Sequence, residues 1–146
     1  MEQDIITRNF VETDMPQIAA LACELGYPTT EEEMSSRMKN ILQNEDYKTV
    51  VIAKGHTILG FIGMFKCFYW ERNGCYIRIQ SLVVSKDAKR LGIGKMLIQA
   101  AEKWGHETGA LTLSLNCGHK AAREAAHQFY PQMGFLHSAA GYTKEL

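Results

Sequence analysis

Hydrophobic positions change their spacing along the chain, and each change marks a change of element. Residues 4–9 read as a short opening strand. Ile18, Leu21, Ala22 and Leu25 then recur at helical spacing. Asp14 is placed to cap that helix, with Pro16 in its first turn, and Gly26 followed by Pro28 stops it. Thr30 and Glu33 form a capping-box pair ahead of a second helical stripe, Met34, Met38, Ile41 and Leu42. The period then shortens. Thr49–Ala53 is a β-branched run, residues 54–57 read as a turn, and Ile58–Phe65 resumes strand composition. Gly60 and Gly63 within that run imply close strand packing or a bulge.

Arg72-Asn-Gly74 signals a further turn before a long buried strand, Tyr76–Val84. Strict alternation puts Ile77, Ile79, Ser81 and Val83 on one face, and Arg78, Gln80, Leu82 and Val84 on the other. Helical spacing returns from Ile93 through Leu97, Ala100, Ala101 and Trp104, and Gly109 closes that helix. Leu111–Leu115 reads as a strand. Residues 120–133 read as a helix with Ala122, Ala125, Ala126, Phe129 and Met133 inward, and Phe135–Leu146 as one or two last strands. The order predicts a mixed α/β (α+β) domain over residues 1–146. Its central, mostly antiparallel twisted sheet is flanked by about four helices, with a βαβ unit near the end.

Composition narrows the function. The 146 residues carry 16 Lys+Arg against 16 Asp+Glu, a formal net charge of +0. A neutral chain lacks the bulk positive field that holds a nucleic acid backbone, so no nucleic acid partner is expected. Cys23, Cys67, Cys75 and Cys117 form no CxxC pair and no metal-ligand spacing, and the five histidines add none. They are expected to be reduced, mostly buried thiols, with no metal. No targeting segment and no run of about 18 apolar residues is read, so the expectation is a cytoplasmic protein without a membrane partner.

The chemistry concentrates in Leu82-Val-Val-Ser-Lys-Asp-Ala-Lys-Arg-Leu-Gly-Ile-Gly-Lys-Met-Leu97. A hydrophobic strand runs into a basic loop, then Gly92 and Gly94, then an amphipathic helix. The glycines admit a bulky ligand close to the backbone. The helix start offers N–H groups and partial positive charge, and Lys89, Arg90 and Lys95 add cations. Such a turn suits a phosphate or pyrophosphate. The P-loop spacing fails, because Met96 follows Gly94-Lys95 and position 89 is lysine. The dinucleotide fingerprint fails for want of a third glycine.

This segment resembles the acetyl-CoA loop of the Gcn5-related N-acetyltransferase (GNAT) superfamily, Q/R-x-x-G-x-G/A, here Lys89-Arg-Leu-Gly92-Ile-Gly94. Lysine replaces the family's Gln/Arg and keeps a positive charge beside Arg90. Arg123-Glu-Ala-Ala-His127-Gln-Phe-Tyr130-Pro-Gln-Met-Gly134-Phe135 is similar to the family's closing motif, a helix with a Phe-Tyr pair that stops at Gly-Phe. The ending through Tyr142-Thr-Lys-Glu-Leu146 resembles bacterial small-molecule acetyltransferases, including aminoalkylphosphonate and aminoglycoside types.

The resemblance implies the GNAT fold and transfer of acetyl from acetyl-CoA to the primary amine of a small molecule, by direct attack in a ternary complex. The pyrophosphate would sit on Lys89, Arg90, Leu91, Gly92, Ile93, Gly94 and Lys95. The pantetheine arm would pair with the backbone of Leu82, Val83 and Val84, and Leu82 N–H would serve an oxyanion. Asn116 would bond the pantetheine or the substrate, and Tyr130 would protonate the departing thiolate. Arg78, Gln80 and Ser81 supply no carboxylate, so a water-mediated base is expected. Glu24 and Glu31–Glu33 would favour a cationic acceptor, Arg72 and Arg78 an anionic one. Protein N-terminal or lysine acetylation and a non-catalytic acyl-CoA sensor stay open as alternatives. So does a homodimer formed through Cys67–Trp70 and the last strand.

Overall fold

A computed structural model describes residues 4–117, 124–139 and 141–146. Contacts divide the chain into two compact units, the first ending at Ser114 and the second starting at Leu115. In the first unit, β1 (Ile5–Asn9) leads through a 3-10 turn into α1 (Met15–Leu25) and α2 (Glu31–Leu42). Then come β2 (Tyr47–Lys54), β3 (Thr57–Phe68), β4 (Cys75–Val84) and α3 (Ile93–Thr108). β5 (Leu113–Leu115) completes a five-stranded sheet in the order β1-β2-β3-β4-β5. The first four strands pair antiparallel. Leu111 N–H donates to Cys75 C=O and Ile77 N–H to Thr112 C=O, so β5 enters parallel to β4. That is the mixed α/β fold the residue pattern predicted.

The capping box of α2 forms as read. Glu33 N–H donates to Thr30 Oγ1 at 3.0 Å, and Thr30 N–H donates to Glu33 Oε1 at 3.1 Å. Asp14 stands at the start of α1, but its carboxylate does not cap that helix. It is buried at 3% exposure, takes a two-pronged ion pair from Arg8 at 2.8 Å, and accepts Val11 N–H at 2.9 Å. A charge-assisted fork outcompetes a neutral cap for the same oxygens. Leu42, expected inside, is 53% exposed at the last residue of α2, whereas Ile41 beside it packs against the core.

The largest departure lies in β4. Gly63 pairs with Ser81 and Met64 with Ile79, so Gln80 is an extra, unpaired residue. A second irregularity leaves Leu59 unpaired between Gly60 and Ile58. A bulge breaks strict alternation. Ile77 and Ile79 therefore face α3, whereas Val83 turns to the other face and joins Phe61, Val51, Ile18 and Met38 under α1 and α2. Ser81 follows Val83, and Leu82 follows Ile79. The single face predicted for Ile77, Ile79, Ser81 and Val83 is thus split in two.

Helix α3 packs on β2, β3 and β4 through Ile93, Leu97, Ile98, Ala101 and Gly105, all buried. Ala100 and Trp104, predicted inward, sit at the partly exposed edge of that stripe. Removing a side chain such as that of Leu97 would cost about 2–5 kcal/mol. Cys75 alone among the cysteines is buried. Cys67 and Cys117 are partly exposed and Cys23 is exposed, since it falls off the inward stripe of α1.

In the second unit, α4 spans Glu124–Gln132, with Ala126, Phe129 and Met133 partly buried and Ala125 exposed. The strands expected within Phe135–Leu146 are not formed at residues 135–139 or 141–146. Leu136 and Tyr142 there are exposed, and the Ser-Ala-Ala-Gly stretch offers no alternation to fix a register. Ala122, Arg123 and His119 lie outside the described residues.

Candidate active site

The turn after β4 is pinned at its start. Ser85 Oγ accepts Asp87 N–H, Ala88 is buried, and Glu24 of α1 accepts Lys86 N–H at 3.3 Å. Lys89, Arg90, Leu91 and Gly92 then stand exposed. Arg90 takes a φ of 71° and Gly92 a φ of 76°. The left-handed region suits Gly92, whereas at Arg90 it is strained by about 1 kcal/mol or more. Gly92 caps α3, and Met96 N–H donates to Gly92 C=O at 3.1 Å as the first helical bond. The amides of Ile93, Gly94 and Lys95 are therefore donors the helix itself does not use, gathered where its dipole is positive. The buried Ile93 side chain ties this end to the sheet at Gly60.

The end of β4 lies just upstream. Ser85 N–H donates to Leu59 C=O at 2.8 Å, so that residue faces β3. Backbone groups alternate along an antiparallel strand. Val83 therefore spends its amide on β3, while Leu82 and Val84 turn theirs away from it. β5 ends at Leu115, whereas β4 continues to Val84. Of the three strand residues expected to meet a pantetheine arm, Leu82 and Val84 present backbone outward and Val83 packs in the core.

The same bulge sorts the side chains of β4. Arg78 and Ser81 share the α1/α2 face with Tyr76. Tyr76 pairs with Tyr69 at 4.9 Å between ring centroids, Arg72 covers the Tyr69 ring at 4.9 Å, and Tyr69 hydroxyl bonds Thr112 Oγ1 at 3.0 Å. The hydrogen bond with Cys67 raises the Tyr76 phenol above its ordinary value, burial adds to this, and the Arg78 charge opposes it. A cavity of about 300 Å³ is lined by Phe68, Tyr69, Trp70, Glu71, Tyr76, Thr112 and Ser114. Trp70 is 99% exposed beside it. Tyr47 and Phe65, stacked at 5.1 Å on the same face, escaped the sequence reading. Only the strand registers, which pair Tyr47 with Phe65 across β2–β3 and Phe65 with Arg78 across β3–β4, reveal them.

Asn116 and Tyr130 belong to the second unit. Asn116 is exposed just after β5, its amide against Gly141. Tyr130 is partly buried, its ring edge-on to Phe129 at 5.4 Å and to Phe135 at 5.8 Å. Phe135 N–H closes the helix on Tyr130 C=O at 3.1 Å. His127, one turn earlier, is exposed. Among the described residues no group of three or more His, Cys, Asp or Glu is placed to hold a metal ion. Nor is any described helix long and apolar enough to cross a membrane.

The family model for the acetyltransferase (GNAT) family matches residues 14–135, from the start of α1 past Tyr130. The chain belongs to the GNAT acetyltransferase family. A crystal structure of a GNAT family acetyltransferase from Staphylococcus aureus subsp. aureus USA300_TCH1516 is similar at 31% identity and TM-score 0.83, covering 100% of both chains. Glucosamine-6-phosphate N-acetyltransferase from Arabidopsis thaliana shares the fold at 18% identity and TM-score 0.81, over 98% of this chain and 99% of that one. So does an aminoglycoside acetyltransferase from an uncultured soil metagenomic sample, at 18% identity and TM-score 0.80, over 97% and 96%. No curated protein matches the chain significantly. The GNAT assignment makes this chain an acyltransferase of the acetyltransferase kind, and the turn at Lys89–Lys95 and the end of β4 both fall inside the family match.

Proposed function

We propose that the protein transfers the acetyl group of acetyl-CoA to the primary amine of a small molecule, the whole chain working as one domain. The observation that carries this reading is the start of α3. Three amides that the helix does not use lie beside three cations, directly downstream of outward-turned amides at Leu82 and Val84. Lys89, Arg90, Lys95 and the amides of Ile93, Gly94 and Lys95 would hold the diphosphate. The backbone of Leu82 and Val84 would pair with the pantetheine arm as an added strand does. Bound there, acetyl-CoA supplies an activated thioester.

The rest of the work falls to this chain's own groups. Leu82 N–H would stabilise negative charge developing on the carbonyl oxygen. Tyr130 hydroxyl would supply a proton to the departing sulfur, and Asn116 would bond the pantetheine or the acceptor. The acceptor must attack as a neutral amine, and the proton it loses would leave through water, since Arg78, Gln80 and Ser81 offer no carboxylate. The solved neighbours include enzymes whose substrates are an aminoglycoside and glucosamine 6-phosphate, which supports a small amine.

The test is a panel of amines with acetyl-CoA, read as free thiol release. Turnover of at least one amine is expected. Calorimetric binding of acetyl-CoA without turnover of any amine would instead point to a sensor.

A further inference from the structure

Rows of paired residues cross β2, β3 and β4 on the face that α1 and α2 share. Val51, Phe61 and Val83 form the covered row, buried in the core. The next rows, Thr49–Gly63–Ser81 and Tyr47–Phe65–Arg78, are only partly buried. Arg78 is thereby framed by rings. Phe65, stacked on Tyr47, lies across from it, and Tyr76 precedes it on the same face. Tyr76 also lines the cavity described above, so the aromatic floor runs on into that space.

A guanidinium carries five N–H donors and no acceptor. Arg8 has its donors matched by both oxygens of Asp14. Arg78, partly buried among aromatic side chains, has no carboxylate or carbonyl partner among the described residues. It gives up hydration without a protein anion to replace it. Two of the acidic groups that would draw a cationic acceptor are otherwise engaged. Glu24 holds Lys86 N–H, and Glu33 is locked in the capping box of α2.

We propose that Arg78 selects the acceptor, by holding the carboxylate or phosphate of a small molecule that carries both its reacting amine and an oxyanion. The inference rests on the acetyl-transfer reading for the amine end. Strand rise of about 3.3 Å per residue sets Arg78 and Leu82 roughly 10–13 Å apart along β4. The arginine side chain spans part of that distance, and the remainder fits a short linker between amine and anion. A planar carboxylate would take two parallel bonds from the guanidinium, and an apolar segment of the acceptor would lie on Phe65 and Tyr76.

The experiment uses the intact protein with saturating acetyl-CoA and three acceptors of one chain length: 6-aminohexanol, 6-aminohexanoate and 6-aminohexyl phosphate. At least one anionic acceptor is expected to exceed the alcohol about tenfold in kcat/KM, and the two anionic arms tell carboxylate from phosphate. Arg78→Met should collapse that ratio to within about twofold, chiefly through KM, and Arg78→Lys should restore part of it. Equal kcat/KM for all three acceptors, or a ratio unchanged by Arg78→Met, overturns the proposal.

Calorimetric binding of the same three compounds gives a readout without turnover. An anionic acceptor that binds wild type and Arg78→Met equally overturns the proposal as well. Acetyl-CoA affinity is measured alongside in both proteins. A wild type that binds acetyl-CoA but shows no anion preference defeats the Arg78 inference alone. One that binds the anionic amine through Arg78 but ignores acetyl-CoA defeats the acetyl-transfer reading alone.

Discussion

Gly60 is where the sheet, the end of β4 and the start of α3 meet. A Cβ added there would stand 2.7 Å from Val83 carbonyl oxygen and 2.9 Å from Ile93 Cγ2. Neither neighbour yields easily. The first is backbone whose residue pairs with Phe61, and the second is a β-branched side chain with a stiff χ1, buried at the first turn of α3. Overpacking of this kind costs about 1–3 kcal/mol. Replacing a strand glycine by alanine gains about 0.5–1 kcal/mol from reduced freedom of the unfolded chain. The clash therefore wins, and Gly60→Ala should lose roughly 1–2 kcal/mol. At about 2–4 °C per kcal/mol for a chain of this size, Tm should fall by roughly 2–8 °C.

Gly63→Ala is the control. Its nearest neighbour would be Ser81 Cβ at 3.8 Å, an ordinary contact, so Tm should hold or rise. Relief of the Gly60 clash must move β4, α3 or both, which carry the two halves of the proposed cofactor site. Acetyl-CoA affinity should therefore weaken at least about fivefold in Gly60→Ala and stay within about twofold in Gly63→Ala. Thermal unfolding and calorimetric titration of both variants decide the matter. A Gly60→Ala protein as stable and as tight-binding as wild type would show that the close approach at Gly60 holds neither β4 nor α3 in place.

The Arg8–Asp14 fork holds the Asp14 carboxyl below its usual range, the hydrogen bond from Arg8 being the chief cause. A carboxyl lowered on folding stabilises the protein above its unfolded value near pH 4 and loses that contribution as pH falls through its folded value. Asp14→Asn should cost about 1–3 kcal/mol at pH 7, and its denaturant midpoint should vary less than wild type between pH 4 and 2. Arg90→Gly removes a side chain from a left-handed backbone and a cation from the turn, so Tm should rise slightly while acetyl-CoA affinity falls about threefold or more; equal affinity would exclude Arg90 from the site. Tyr130→Phe should lower kcat about 100-fold with acetyl-CoA affinity little changed, and an undiminished acetyl-transfer rate would remove its role as acid. Affinity for acetyl-CoA should also drop with added salt, as expected where cations on an exposed turn meet a diphosphate, and a flat salt series would contradict that.

Much of the fold was legible because its signals are local. The stripe of α1, the capping box of α2 and the glycine-marked start of α3 each sit within a few residues. The turn proposed to hold the cofactor could be picked out for the same reason, since strand, cations and Gly92 are contiguous. What stayed hidden depends on pairing between strands. The bulge at Gln80 has no signature in β4 itself, and appears only when Met64 and Gly63 are set against Ile79 and Ser81. Without it, Arg78 and Ser81 fall on opposite faces, and the aromatic frame of Tyr47 and Phe65 is invisible. Asp14 was read as a cap because its partner Arg8 lies on β1, across a turn that sequence spacing does not close. The last segment was read as strand from its apolar residues, although a strand also needs a ladder partner.

In the proposed mechanism the first-turn amides of α3 grip the diphosphate of acetyl-CoA. Backbone amide resonances of Ile93, Gly94 and Lys95, followed by NMR during titration with CoA, test it directly. These three are expected to shift together and saturate, accompanied by Leu82 and Val84, while amides of β1 stay in place. Saturable binding that leaves the three resonances unmoved, or no binding at all, would contradict it.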